Sequence, residues 1–436
     1  MPTPSGPRPL RRRAPGPRLG PNFVRLWSAA TISTVGDGVS VVAYPWLASQ
    51  LTRNAAAVAL VPVALRLPWL VVSLPAGALV DRVDRRRLMV GVDTIRALVT
   101  AGVAVGVLTG AMSLPLLLVL LLVLGTGEVI ASNASLALLP AVVEPAGLER
   151  ANGRLQASDV VGNTLVGPPL AGVLIALALA APFVADAVSF AASALLVLAL
   201  QLRPAPAPAA AVSGPPGRHR LRRDIAEGLR WLWTHPTLRL LAITLGAMNG
   251  LFAMAISTEV LFAREVLGLG SVGFGLLFSG GAVGGVLGSL VASRVVERIG
   301  VGRTLQLSLM SETLSVLLYG LAPAAWVAGL AITLFAVTAI VWNVVTITLR
   351  QRLIPDALLG RVGSVYRLLG VGLSPVGAAV GGLVVVAAGH VLGRHLALRT
   401  PMLLAGVGYL ALLAMALPRM GRLDDDEAMP SATAGP

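Results

Sequence analysis

Gly77-Ala78-Leu79-Val80-Asp81-Arg82-Val83-Asp84-Arg85-Arg86-Arg87 sets six charged side chains into eleven residues, between an apolar run over 55–79 and another that begins at Leu88. A hydrocarbon core of about 30 Å takes about 20 apolar residues per helix, so the flanking runs read as two membrane spans joined by a short, strongly basic loop. Working outward, further spans fall near 23–50, 88–110, 114–138, 158–179 and 182–201. A second set falls near 238–262, 271–293, 303–321, 325–348, 363–388 and 401–418. The fold class expected is an all-α membrane protein of twelve transmembrane helices in two pseudo-symmetric six-helix bundles.

Composition agrees. Of 436 residues 56% are hydrophobic and 12% charged, with a mean hydropathy of +0.83, whereas a soluble domain is about a quarter charged. The chain has no cysteine and no lysine, which excludes thiolate metal sites, cysteine nucleophiles, Schiff bases and the phosphate-binding lysine of a P-loop. The four histidines, His219, His235, His390 and His395, show no zinc-ligand spacing, so no metal and no cofactor is expected. An enzyme in the membrane would need paired carboxylates or a nucleophile at depth, and Asp424, Asp425 and Asp426 cluster only in the polar tail.

Residues 1–22, rich in Arg and Pro, are expected to be a disordered cytoplasmic tail. The N-terminal bundle occupies 23–201, the C-terminal bundle 238–418, and 419–436 is a second cytoplasmic tail. The linker 202–237 opens on a flexible Pro- and Ala-rich stretch. It continues as a helix whose Leu221, Ile225, Leu229 and Leu232 share one face opposite Arg222, Arg223, Glu227 and Arg230, an interfacial helix lying on the bilayer. With both termini cytoplasmic, only the loop arginines at 53, 264, 394 and 399 lie outside, as the positive-inside rule requires of a multi-pass cell-membrane protein. The net charge of +14 is thus a topology signal and not a sign of nucleic-acid binding.

The halves echo each other. Gly153-Arg154 precedes Pro168 by the interval that separates Gly360-Arg361 from Pro375, and Gly77-x-Leu79 before Asp81-Arg82 has a weaker partner in Gly288-x-Leu290 before Arg294. Duplicated bundles with a site at their interface are the architecture of secondary transporters.

The 77–87 loop resembles the loop signature of the major facilitator superfamily, Gly-x-Leu-x-Asp-Arg-x-Gly-Arg-Arg, with Asp84 in place of the second Gly. The resemblance implies a gating set of Gly77, Asp81, Arg82, Arg85 and Arg86. Asp81 would cap a helix of its own half, and the arginines would bridge cytoplasmic helix ends until the halves rock. Gly167-Pro168-Pro169-Leu170-Ala171-Gly172 looks like the antiporter motif of drug/proton exchangers, with Gly167, Pro168 and Gly172 matching and Asn163 and Ala171 standing where the pattern has Gly. Proline there predicts a kinked, closely packed helix whatever the function. The Arg that many such exporters carry early in span four is missing, and Leu124-Gly-Thr-Gly-Glu128 offers an acid instead. Trp27 to Asp37, Arg66-Leu-Pro68 and Asp93-x-x-Arg96 look most like the branch that contains enterobactin exporters and macrolide efflux proteins.

An ionisable residue in the bilayer costs about 2.5 to 3.5 kcal/mol on insertion scales and should face a cavity or a partner. Asp37, Arg66, Asp93, Arg96, Glu128, Asp159 and Glu312 lie within spans, while Asp186 and Glu259 lie nearer outer ends where water can reach them. Asp37 and Arg66, mid-span in adjacent helices, are expected to pair and line a cavity, and Asp93 and Arg96 to satisfy each other near the cytoplasmic face. Glu128, with Ser132 and Ser135 on its stripe and no basic neighbour on its helix, is the first candidate for a proton-coupling site, followed by Asp37 and by Glu312 in the second half. Tyr44, Arg66, Trp69, Asn249 and Asn343 are candidate cavity residues.

These features point to proton-coupled export of a small amphiphilic molecule, such as a drug, antibiotic or secondary metabolite, by alternating access in a monomer. A siderophore exporter and a nutrient importer of the same fold are the alternatives. Small-molecule substrate, protons and lipid are the partners expected.

Overall fold

The computed structural model describes residues 19–201 and 218–428. The expected tail over 1–18, the flexible part of the linker before 218 and the last eight residues lie outside the described residues. The first half comprises α1 (Gly20–Leu51), α2 (Ala55–Val71), α3 (Ser73–Arg82), α4 (Arg85–Leu108), α5 (Leu114–Val142), α6 (Leu148–Val160), α7 (Gly167–Leu177) and α8 (Ala181–Leu198). After α9 (Arg218–Thr234) come α10 (Pro236–Ile256), α11 (Glu259–Leu261), α12 (Ser271–Ile299), α13 (Val301–Leu321), α14 (Ala325–Leu353), α15 (Asp356–Gly372), α16 (Ser374–Leu392), α17 (Arg394–Ala397) and α18 (Thr400–Ala428).

Broken helices stack into longer rods. α2 with α3, α6 with α7, α10 with α11 and α15 with α16 each follow one course, consistent with six spans per half. Among the described residues, nine rods are long and apolar enough to cross a membrane by length and composition. α18 continues to Ala428, so the tail expected from 419 begins as helix, and α1 starts at Gly20, earlier than the run of apolar residues suggested.

Local chemistry sets several boundaries. Asn54 caps α2 by accepting from the Ala57 N–H at 3.2 Å, and Asp84 caps α4 by accepting from Arg87 N–H at 2.7 Å. The kink expected at Pro168 is a π-turn over Val161–Val166. Neither Pro168 nor Pro169 has an N–H to give to the preceding turn, and the Gly167 N–H reaches back five residues to the Gly162 carbonyl.

The buried core is shared at one end and divided at the other. Trp46, Phe183, Phe262, Phe274 and Tyr319, drawn from both halves, belong to one continuous cluster that meets across the halves at the end away from the termini and also runs down the second half to Leu305, Leu349 and Met420. Two smaller clusters toward the termini each stay within one half, with Phe23, Val80, Met89, Leu138 and Val197 in the first and Leu238, Ile354, Val362 and Tyr366 in the second. The halves are thus joined through the first cluster and parted in the other two.

α9 is helical as expected, but Leu232 is fully buried against the second half instead of facing lipid. Glu227 accepts from Arg361 of α15 at 2.8 Å, while Leu229 and Trp233 remain exposed. A helix with a wide apolar stripe can spend part of it on protein and part on the membrane surface.

Candidate functional site

The intramembrane charges gather in the first half around Arg96. Its Nη2 donates to Asp37 Oδ1 at 2.5 Å, and its Nη1 lies 4.0 Å from Asp93 Oδ1. The expected Asp37–Arg66 pair is therefore not formed. Arg66 is exposed on α2 and acts electrostatically on Glu128 instead. Sequence separation placed Asp37 and Arg66 at one depth but could not fix the azimuth of either helix. α1 and α4 both pack on α8, and the long Arg96 stem spans between them.

Asp93 is buried with Arg96, and its Oδ2 accepts from Ser193 of α8 at 2.7 Å. Asp186, expected to reach water, is only 2% exposed. It accepts from Ser40 at 2.8 Å and from Ser189 at 3.2 Å. Asp186 and Ser193 stand seven residues apart on α8, about 10 Å along its axis. The acids thus form a column in which Asp186 and Asp93 bracket the Asp37–Arg96 pair. Sequence reading missed this column, although Asp186, Ser189 and Ser193 lie on one stripe of α8 and were its visible signal.

Asp159 holds the Asn163 amide at 2.9 Å on the π-turn and acts on Asp37 electrostatically. Glu128 is partly buried on α5, where the Trp69 indole N–H faces it. The Asp37 side chain is 24% exposed, so the pair is accessible from one side and sealed on the other. Tyr44 is buried against Phe183, with ring centroids 5.2 Å apart, and not open to a crevice.

In the second half Glu312 is buried on α13 with neither carboxylate oxygen partnered. Glu259, also expected near water, is buried and accepts from the Tyr319 hydroxyl at 2.8 Å. Asn249 is half-buried and donates to its own helix at Leu245, and Asn343 is exposed on α14. Among the described residues no group of acids and histidines could hold a metal ion.

Hydrogen bonds that cross between the halves collect at the joined end. Arg264 Nη1 donates to the Ser49 carbonyl at 2.9 Å and to Ser49 Oγ at 2.6 Å, and its guanidinium lies 4.9 Å from the Trp46 ring centroid. Arg394 binds both Glu265 oxygens at 2.8 and 2.9 Å and also the Arg53 carbonyl at 2.8 Å. Ser271 of α12 donates to the Gly172 carbonyl at 2.9 Å. Of the motif residues, Gly167 abuts Gly38 of α1, Pro168 presents its carbonyl to Gly275, and Gly172 meets Ser271. The motif builds the seam between α7 and α12.

At the parted end the basic loop is tied to its own half. Arg85 donates to the Ala137 carbonyl at 3.0 Å and Arg86 to that of Leu198, while Arg82 is exposed. Gly77 is half-buried, and the Asp81 side chain lies outside the described ones. The cap expected of Asp81 thus lies outside the described side chains, and the start of α4 is capped by Asp84.

Comparison with known proteins agrees with this architecture. A family described as transmembrane secretion effector matches residues 16–433. The chain is 32% identical over 428 residues to the multidrug efflux pump Tap of Mycolicibacterium fortuitum, covering 93% of this chain and 98% of that protein. It is 26% identical over 367 residues to the enterobactin exporter EntS of Citrobacter koseri, covering 83% and 85%. A bacterial homologue of the human lysosomal transporter Spinster, solved inward-facing and occupied, shares the fold with a TM-score of 0.70 at 15% identity, covering 94% of this chain and 98% of that one.

Proposed function

Because the chain belongs to the transmembrane secretion effector family of major facilitator transporters, we propose that it exports a small amphiphilic molecule from the cytoplasm in exchange for protons. It is a multi-pass membrane transporter acting on a small molecule, and not an enzyme. The names of its relatives, a multidrug efflux pump and an enterobactin exporter, support outward transport.

The observation that carries proton coupling is the column Asp186, Asp37–Arg96, Asp93 in the first half. Several acids share one deeply buried cation, so at least one acid lacks a charge partner and is a place to take up a proton in a medium that penalises unpaired charge. Asp37 is the acid of the column whose side chain is also partly exposed, and Glu128 stands beside it on α5. Glu312 is the matching acid of the second half. Arg66, Trp69, Asn249 and Asn343 remain the residues proposed to border the substrate, whereas Tyr44 is packed into the core against Phe183.

With the termini cytoplasmic, the joined end is extracellular and the conformation is open to the cytoplasm. The cycle then begins with substrate entering between the parted clusters, and the Arg264 and Arg394 contacts open as the halves rock. The 77–87 loop, whose Arg85 and Arg86 bond to their own half, is proposed to meet the second half when the cytoplasmic end closes. At about 100 mV each charge moved supplies about 2.3 kcal/mol, enough for appreciable accumulation per proton. A monomer suffices, since both halves lie in one chain.

Energised everted vesicles test this. Accumulation of ethidium and a panel of antibiotics should depend on the proton gradient and be lost in Asp37→Asn and reduced in Glu128→Gln. Accumulation that survives full collapse of the gradient would overturn proton coupling, and gradient-driven movement in the opposite direction would overturn export.

A further inference from the structure

We propose that Arg96 is a two-position counter-ion that holds Asp37 while that acid is ionised and turns to Asp93 when Asp37 takes up a proton. This rests on the reading above that Asp37 carries the coupling proton.

The guanidinium already faces both acids with different nitrogens. Nη2 meets Asp37 at 2.5 Å, whereas Nη1 stands 4.0 Å from Asp93 Oδ1, beyond hydrogen-bond reach. Asp93 is the acid held in reserve. Its Oδ2 is fixed by Ser193 at 2.7 Å, which leaves Oδ1 aimed at Arg96. The other acids around the pair are engaged elsewhere. Asp186 is held by Ser40 and Ser189, Asp159 by Asn163, and Glu128 sits with Arg66 and Trp69. Tyr44 is the remaining titratable group nearby, and its buried hydroxyl faces Ser40 and Thr100.

Little besides Asp37 fixes the guanidinium. Its flat face lies 3.9 Å from the Phe190 ring centroid, a contact that tolerates sliding, and its buried Nε has no partner. Space for the stem comes from Gly127 of α5, where a Cβ would stand 2.9 Å from Arg96 Cγ and 3.0 Å from Cδ. The side chain is 5% exposed, and a guanidinium does not lose its proton in proteins. Neutralising Asp37 would therefore strand a buried cation unless another carboxylate accepts it, and stranded buried charge is what a folded interior tolerates least. Turning to Asp93 keeps the pair neutral and displaces positive charge toward the cytoplasmic end of α4. Proton uptake at Asp37 thereby becomes a movement inside the first half.

The absence of cysteine allows a test that needs no substrate. Spin labels at Gln50→Cys and Leu392→Cys, both exposed at the joined end, report its opening by pulsed electron-electron distance measurement in lipid nanodiscs. Between about pH 8.5 and about pH 5.5 the parent distances should shift, Asp37→Asn should abolish the shift, and Asp93→Asn should reduce it by about five-fold or more. Ser193→Ala should keep it. Gly127→Ala, which changes no charge but crowds the Arg96 stem, should damp it, and stands in if Asp93→Asn does not fold.

A parent that ignores pH, or Asp37→Asn that responds like the parent, overturns the proton reading and the switch with it. A null Asp37→Asn beside an Asp93→Asn that responds like the parent, or a Gly127→Ala that does so where Asp93→Asn does not fold, overturns the switch alone. Ser193→Ala behaving like Asp93→Asn also overturns it, since Asp93 would then be an anchor for α8.

Discussion

Arg264 in the second half donates to both the carbonyl and the hydroxyl of Ser49 in the first, at 2.9 and 2.6 Å, across 215 residues of sequence. The Trp46 ring backs the guanidinium at 4.9 Å, so one cation is held by three groups of the opposite half. Charge-assisted hydrogen bonds are the strong ones. A transporter that must open here has to break them in each cycle. Cysteines placed at Ser49 and Arg264 in this cysteine-free chain should be bridged by a bis-methanethiosulfonate spacer about as long as the arginine side chain and stop transport, with recovery on reduction. Full activity in a quantitatively crosslinked protein would show that this end does not open.

Removing the latch should bias the molecule the other way. Arg264→Ala loses two hydrogen bonds and a ring contact, and hydrogen bonds to charged groups are worth about 1.5 to 3 kcal/mol each before reorganisation. The expected result is a larger outward-open population, read as faster labelling of a cysteine introduced at Ser271, which is buried at the joined end, and an unchanged labelling rate would count against the latch.

The seam between α7 and α12 depends on the absence of side chains. A Cβ at Gly275 would lie 2.5 Å from the Pro168 carbonyl oxygen, and one at Gly172 would lie 2.6 Å from that of Ser271. Backbone cannot yield as a flexible side chain can, and overpacking typically costs about 1 to 3 kcal/mol. Gly275→Val should lower the thermal midpoint in detergent and weaken transport, whereas Gly285→Ala, with nothing within 4 Å of its added Cβ, should do neither.

Asp84 stands where the loop signature has Gly, and it caps α4 through the Arg87 N–H at 2.7 Å. Replacing a capping Asp by Ala costs about 1 kcal/mol, and by Gly only a few tenths. Asp84→Ala should therefore destabilise the protein by about 1 kcal/mol and Asp84→Gly by less, measured by thermal unfolding in detergent. Equal losses in the two variants would assign Asp84 to the charge network instead of the cap.

Span positions and the duplicated halves were legible because each span is a long apolar run and each break carries Arg, Gly or Pro. Partnerships were not. Arg66 and Arg96 both lie near the depth of Asp37, and only the packing of α1 and α4 on α8 decides that Arg96 reaches it. Asp186 and Glu259 were misread because nearness to a helix end says nothing about which face is covered. Ser40 and Tyr319 cover them. The amphipathic stripe of α9 announced a surface helix but not its choice between lipid and α15, which depends on residues more than 100 positions away.

That choice gives the last test. Leu232 is fully buried among Leu238, Ile354, Val362 and Val365. A Cβ added at Gly228 would lie 2.9 Å from the Arg361 backbone, and Glu227 pairs with Arg361 at 2.8 Å. The ion pair is exposed on both sides and should contribute at most about 1 kcal/mol, so apolar burial and close backbone approach hold the helix. Leu232→Ala should then cost about 2 to 5 kcal/mol of local stability, seen as faster amide exchange across 226–234 and the start of α15, while Glu227→Gln leaves exchange nearly unchanged. The opposite ranking would mean that α9 is held by charge, and its docking would then weaken with added salt.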